Sequence, residues 1–190
     1  MTEHTLILHP HEVRGLRADP PTVTLIMRPV KPQPPVGLSK LDVPGPLWTY
    51  TCCDRDWVCP FGTVGDRLIG KETWAVHDDY VLYKADLPEV DWKEVFEDTP
   101  NHRWLSPILM PRKLSRFTPE VTADPWCKQV QEMTAEECIA WGCQTNQREY
   151  DAECLLRDLL ARQWDAIYAR RGLGWDAKTW MWGVTIRRIG

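Results

Sequence analysis

Apolar and polar positions change their spacing several times along this chain, and each change predicts an element. Thr22–Met27 (Thr-Val-Thr-Leu-Ile-Met) is a short run of β-branched and apolar residues and predicts a strand. Trp48–Thr51, Arg67–Trp74 and Tyr80–Lys84 predict three more, with Leu68 alternating against longer polar residues in the second and Val81 and Tyr83 sharing a face in the third. Ser115–Thr122 predicts a strand that Pro119 confines to an edge or a bulge, and Lys128–Glu132 predicts another. Trp180–Ile189 predicts a closing strand, with Trp182, Val184 and Ile186 alternating against Met181, Thr185 and Arg187.

Helical spacing is confined to three places. His11–Arg17 predicts a short helical turn ahead of Asp19-Pro20-Pro21. Thr134-Ala-Glu-Glu137 is a capping box, in which the hydroxyl and the carboxylate each satisfy a free amide, so a helix should run from it to Gly142. Tyr150–Arg171 predicts a longer helix: Leu155, Leu156, Leu159, Leu160, Trp164, Ile167 and Tyr168 fall on one face, and Gly172 stops it. Several short strands with two real helices predict an α+β chain, a small β-barrel with flanking helices. At 190 residues the chain forms one domain with its own core.

Between these elements the punctuation is informative. The chain holds 16 Pro, many within the first 46 residues, and Pro29 to Pro46 predicts an extended loop. Pro60, Gly62 and Gly65 predict a turn that leads directly into the Arg67–Trp74 strand. Arg67, Lys71 and Glu72 are thereby placed on or beside rigid backbone. Asp66, following Gly65, is expected to cap turn amides, and Glu72 is expected in an ion pair.

Charge narrows the classes of function. A net charge of −4 argues against a protein that coats nucleic acid indiscriminately. Acidic residues crowd Asp78–Asp98, whereas Arg103, Arg112, Lys113 and Arg116 follow with no acid before Glu120, so a local basic face is expected. The acidic-then-basic stretch at about 86–107 reads as a surface insertion. Seven Cys include no Cys-x-x-Cys pair, so buried thiols are expected rather than a metal site. Met1–His11 lacks the pattern of a secretion signal and no run approaches membrane-spanning length, so the expected place is the cytoplasm.

Four pieces taken together resemble a known family: Lys31-Pro-Gln-Pro34, the stretch Cys59-Pro-x-Gly-x-x-Gly-Asp-Arg-Leu-x-x-x-Glu-Thr-Trp74, Met110-Pro-Arg-x-x-Ser-Arg116, and the ending Trp175-Asp-Ala…Trp180-x-Trp182. In order and spacing they are similar to the ASCH-domain proteins of the PUA-like superfamily, in the version carried by bacteriophages and prophages. The resemblance spans nearly the whole chain. It implies a PUA-like barrel with a cleft for RNA, nucleotides or modified nucleosides. For some members it implies hydrolysis of an acetylated cytidine or of RNA, using a Lys-x-x-Thr-x-Arg stretch and a helical Glu.

Placed on that pattern, the Lys position holds Thr24, the Thr position Met27, the Arg position Pro29 and the Glu position Trp141. A Thr hydroxyl does not titrate near neutrality, and Met and Trp carry no proton to give. The expected function is therefore binding of RNA, nucleic acid or a nucleotide-like ligand without catalysis and without a cofactor. Candidate ligand contacts are Arg28, Lys31, Arg67, Lys71, Arg112, Lys113 and Arg116, with Trp74, Trp141 and Trp182 as a stacking wall. One alternative is an ASCH-type amidohydrolase or ribonuclease using Glu72. Another is a phage accessory protein whose acidic stretch binds a host defence protein.

Overall fold

The protein is described by a computed structural model covering residues 2–17, 23–34, 39–40, 49–52, 55–77, 80–87, 103–143 and 152–189. Its strands are β1 (Glu3–Ile7), β2 (Thr24–Pro29), β3 (Ser39–Lys40), β4 (Thr49–Cys52), β5 (Arg55–Val58), β6 (Arg67–Lys71), β7 (Trp74–His77), β8 (Tyr80–Tyr83), β9 (Glu120–Val121), β10 (Trp126–Gln129) and β11 (Trp180–Arg187). Among the described residues three α-helices accompany them: α1 (Pro10–Arg17), α2 (Ala135–Trp141) and α3 (Ala152–Tyr168). The class is α+β, as the residue pattern predicts.

One strongly curled mixed sheet forms a half-barrel. β1 runs parallel to β6, β6 is antiparallel to β9, and β9 and β10 both pair with β11. β2 pairs with β11 over the same residues that face β10, so it must lie on the opposite edge. The order across the curl is thus β1, β6, β9 with β10, β11, β2, and the two ends are β1 and β2. Separate small sheets are formed by β3–β4–β5 and by the β7–β8 hairpin.

The period-two alternation of β2 and β11 explains the two layers of core. Ile26, Val184 and Ile186 face the inside of the curl, where they meet Leu6, Leu8, Leu68 and the α1 residues Val13 and Leu16. Leu25, Met27 and Met181 face outward, where Trp141 of α2 and Leu156, Leu160 and Trp164 of α3 cover them. Because both its faces are covered, β2 reads in sequence as a continuous apolar run. Gly183 of β11 carries the Trp126 indole directly on its backbone, where any Cβ would overlap the ring.

Local chemistry sets most helix ends. Thr134 Oγ1 accepts from the Glu137 amide at 3.2 Å and the Glu137 carboxylate accepts from the Thr134 amide at 2.9 Å, the predicted reciprocal box. Gly142 closes α2 with φ of 110°. After α3 a single 3₁₀ turn, Ala169–Arg171, leads to Gly172 at φ of 70°. Gly62 and Gly65 also have positive φ, and the Asp66 carboxylate accepts from Thr63 N at 3.1 Å and Thr2 N at 2.7 Å, so the predicted turn and its cap both form.

Three strand predictions need correction. The single strand expected over Arg67–Trp74 is two, because β6 ends at Lys71 and β7 begins at Trp74 in a different sheet. Glu72 stands at the corner between them, its amide against Met110 Sδ at 3.3 Å and its carboxylate held by Arg116. Ser115–Thr122 narrows to Glu120–Val121: Leu68 and Gly70 donate to the carbonyls of Pro119 and Phe117, but Pro119 has no N–H to return, so no regular ladder forms upstream. The strand predicted at Lys128–Glu132 sits earlier, at Trp126–Gln129, and Val130–Glu132 turns as a 3₁₀ helix. Most of the predicted insertion at about 86–107, including its acidic centre, lies outside the described residues.

Candidate functional site, a cleft at the seam of the half-barrel

An open curl leaves a seam between its two end strands, and one side chain spans it. Arg28 on β2 points inward with the Ile26 face, toward α1 and β1. Its Nη1 donates to Glu12 Oε1 and Met27 O, each at 2.7 Å, and its Nη2 donates to Glu12 Oε2 at 2.7 Å and to the Ile7 carbonyl of β1. The guanidinium therefore ties β2 to β1 and both to the helix that connects them. Glu12 is fully buried. Burial alone would raise its carboxyl, yet the Arg28 charge and hydrogen bonds outweigh it and hold Glu12 below the ordinary carboxylate range.

Beside this tie opens a cleft of about 810 Å³, within the size range of small-molecule and cofactor sites. Its aromatic wall comes from Trp57, Phe61, Trp182 and Tyr168, and Val58, Pro107 and Ile108 form apolar rim. Thr5, Thr73 and Ser106 offer uncharged polar groups. The charged side chains are Arg28, Lys31 and Arg171, and no carboxylate lines the cleft among the described residues. Since Glu12 neutralises Arg28 from behind, the uncompensated positive charge is that of Lys31 and Arg171, which make no ion pair among the described residues.

Loops from distant parts of the chain are pinned to make this wall. Gln33 donates to Val30 O at 2.7 Å and Trp180 O at 2.9 Å and accepts from Trp180 N at 2.7 Å, which fixes the Lys31-Pro32 corner, where the peptide bond is cis, against β11. Trp57 Nε1 donates to Pro32 O at 3.1 Å and so lies along the same corner. His9 sits at the other end, its ring edge-on to Tyr168 with centroids 6.2 Å apart and stacked on His11 at 5.9 Å. Burial first, and then the Arg28 charge, lower the His9 pKa to about 4, so it is neutral at physiological pH.

Of the residues predicted from sequence as ligand contacts, the cleft brings together Arg28 and Lys31, with Trp182 from the expected stacking wall. Lys71 stands at the rim, its Nζ donating to Ile108 O at 3.4 Å. Arg112 is on the surface in a two-pronged pair with Glu3 at 2.6 and 2.7 Å, and Lys113 is exposed beside it. Arg67 is exposed at the start of β6. Arg116 is a brace: it grips Glu72 at 3.1 and 2.6 Å and Asp86 at 2.6 and 3.1 Å, and its guanidinium lies 3.7 Å from the Tyr83 ring centre. Glu72, 1% exposed, is thus the ion-pair carboxylate that its sequence context predicts.

Trp74 and Trp141 are core side chains, neither of which lines the cleft. Trp141 instead meets His11 edge-on with centroids 4.7 Å apart. The contributors that sequence reasoning missed are His9, Glu12, Trp57, Phe61, Tyr168 and Arg171. Tyr168 and Arg171 had a signal, being the last apolar position and last cation of a predicted helix, but nothing local said that the end of that helix meets the seam.

Thr24 and Met27, which the sequence resemblance sets at its Lys and Thr positions, are buried on β2, and Pro29 follows at its end. Among the described residues the carboxylate that reaches Arg28 is that of Glu12, and both its oxygens are occupied by Arg28, with Oε2 also accepting from the His9 amide at 2.7 Å. A carboxylate so held is a weak base. Among the described residues there is no cluster of His, Cys, Asp and Glu able to hold a metal ion, and no helix is long and apolar enough to cross a membrane. No protein-family model matches this chain, and neither does any curated protein or any solved structure.

Proposed function

We propose that the chain is an ASCH-type, PUA-like domain of bacteriophage or prophage origin, working in the cytoplasm, which binds RNA or another nucleotide-like ligand in the seam cleft without catalysis. The observation that carries the reading is the composition of the cleft. In a protein of net charge −4, its described walls hold two uncompensated cations, four aromatic rings and no carboxylate. That combination suits a ligand with a planar apolar part and an anionic part, as a nucleotide has in its base and phosphate.

Titration of the intrinsic tryptophan fluorescence with nucleoside 5′-monophosphates and with short oligoribonucleotides tests this. Binding should be salt-dependent, should weaken in Lys31→Ala and Trp57→Leu, and should persist in Arg112→Ala. Absence of any response to every nucleotide and RNA at low salt would remove the reading. The hydrolytic alternative is checked in the same preparation: release of acetate from acetylated cytidine, or cleavage of RNA, that disappears in Glu72→Gln or Glu12→Gln would make the protein an enzyme.

A further inference from the structure

We infer that the corner formed by His9, Tyr168 and Arg171 is the subsite for the doubly charged anionic end of the ligand, a phosphate-type group, and that occupying it draws a proton onto His9. This rests on the cleft-binding reading above and specifies which end of the cleft takes the charge. Arg28 is the obvious candidate from sequence, but its two terminal nitrogens are already directed at Glu12, Met27 and Ile7. Arg171 has no such commitment: it is exposed, it borders the cleft, and its charge acts on both His9 and Tyr168.

Hydrogen bonding at this corner is long. The Tyr168 hydroxyl lies 3.4 Å from His9 Nε2 and 3.4 Å from the Met27 carbonyl, long for a hydroxyl hydrogen bond in either direction. Arg28 also bears on that hydroxyl from the seam side, which leaves the O–H hydrogen to be donated. An anionic oxygen arriving between Tyr168 and Arg171 gives that hydrogen a charged acceptor in place of two distant neutral ones. Its second oxygen then faces the His9 ring.

The groups around His9 set the direction of proton movement. Glu12 and His11 face it from α1, Arg28 from β2, Tyr168 from α3 and Arg171 from the turn after α3. Without a ligand, burial, Arg28, His11 and Arg171 keep the ring neutral, and Glu12 opposes them only in part. A dianion beside the ring reverses the balance and raises its pKa. Between the empty and occupied values, binding takes up a proton, so affinity strengthens as pH falls.

Sulfate is the first probe, because it keeps its double charge over the whole pH range and isolates the titration of the protein. In the wild type, sulfate should shift the His9 imidazole resonances, bind at least about tenfold more tightly near pH 5 than near pH 7, and take up protons in calorimetry across buffers. Arg171→Ala should lose about tenfold or more in affinity for sulfate and for a nucleoside monophosphate, while the nucleoside alone binds unchanged. Tyr168→Phe keeps the buried ring and should give a smaller loss of the same kind. Comparing a nucleoside monophosphate with an oligoribonucleotide separates a terminal phosphate from a backbone phosphate, since only the first carries the double charge.

Nucleotide binding that is equally strong in Arg171→Ala, together with sulfate binding that is independent of pH, overturns the subsite while leaving the cleft reading intact. A sulfate response at His9 without any nucleotide or nucleoside binding keeps the subsite and overturns the nucleotide reading. No response to sulfate or nucleotide in the wild type overturns the subsite.

Discussion

Replacing Arg28 by Ala tests the seam directly. The substitution removes a bidentate partner from a carboxylate that is 0% exposed, and it strips the Ile7 and Met27 carbonyls of the same donor. Breaking one side of a buried ion pair costs about 3–5 kcal/mol, because the surviving charge remains desolvated. For a domain whose total stability is on the order of 5–15 kcal/mol, that is a loss of about a fifth or more. The double variant Glu12→Leu/Arg28→Met should recover part of it, since apolar replacement of a buried pair is often neutral, but should fall short by about 1 kcal/mol for each backbone group left without its partner, the Ile7 and Met27 carbonyls and the His9 amide.

Urea unfolding across pH makes the cause visible. In the wild type the folded Glu12 pKa lies below its unfolded value, so its contribution is fully present above the unfolded pKa and fades as pH falls through the folded one. In Arg28→Ala burial becomes the dominant effect on Glu12, the folded pKa rises above the unfolded value, and the variant should gain relative to wild type toward acid pH. A loss below about 1 kcal/mol, with a pH profile parallel to that of the wild type, would refute the account of the seam.

Three further outcomes follow from the same physics. Arg116→Ala leaves buried Glu72 without its partner, so unfolding should show a loss of about 2–4 kcal/mol, while ligand affinity stays unchanged because Arg116 is a brace that does not line the cleft. Gly183→Ala should lower stability by about 1–3 kcal/mol and change the environment of Trp126 in fluorescence, since the indole occupies the place of the new methyl. Thiol labelling of the native protein near pH 8, mapped by mass spectrometry, should favour exposed Cys154 and leave Cys59, Cys127 and Cys143, pushed up to about 12 by burial, and Cys138, pushed up to about 11, unreactive until the chain unfolds.

The elements that were legible in sequence are those whose cause is local. The Thr134–Glu137 box, the glycines that end α2 and α3, the Asp66 turn and the alternation of β11 each rest on residues within a few positions of one another. β1 was invisible for the opposite reason. Glu3–Ile7 has only weak alternation, and it becomes a strand by pairing in parallel with β6, some 64 residues later in the register Glu3 to Arg67. Likewise Glu12 reads in sequence as an ordinary acid in a short helix. Its burial is decided by Arg28 across the seam, and no periodicity of either element announces that partnership.

An incomplete barrel normally carries a hazard that a closed one escapes: two end strands with backbone groups free to recruit a strand from another molecule. At Ile7 and Met27 this chain fills those positions with its own arginine, so a single side chain supplies locally what closure supplies elsewhere. Loss of Arg28 should therefore change more than the melting curve. It should make the variant self-associate through its edges more than the wild type does, with the degree of association rising with concentration even under conditions where the variant is still folded.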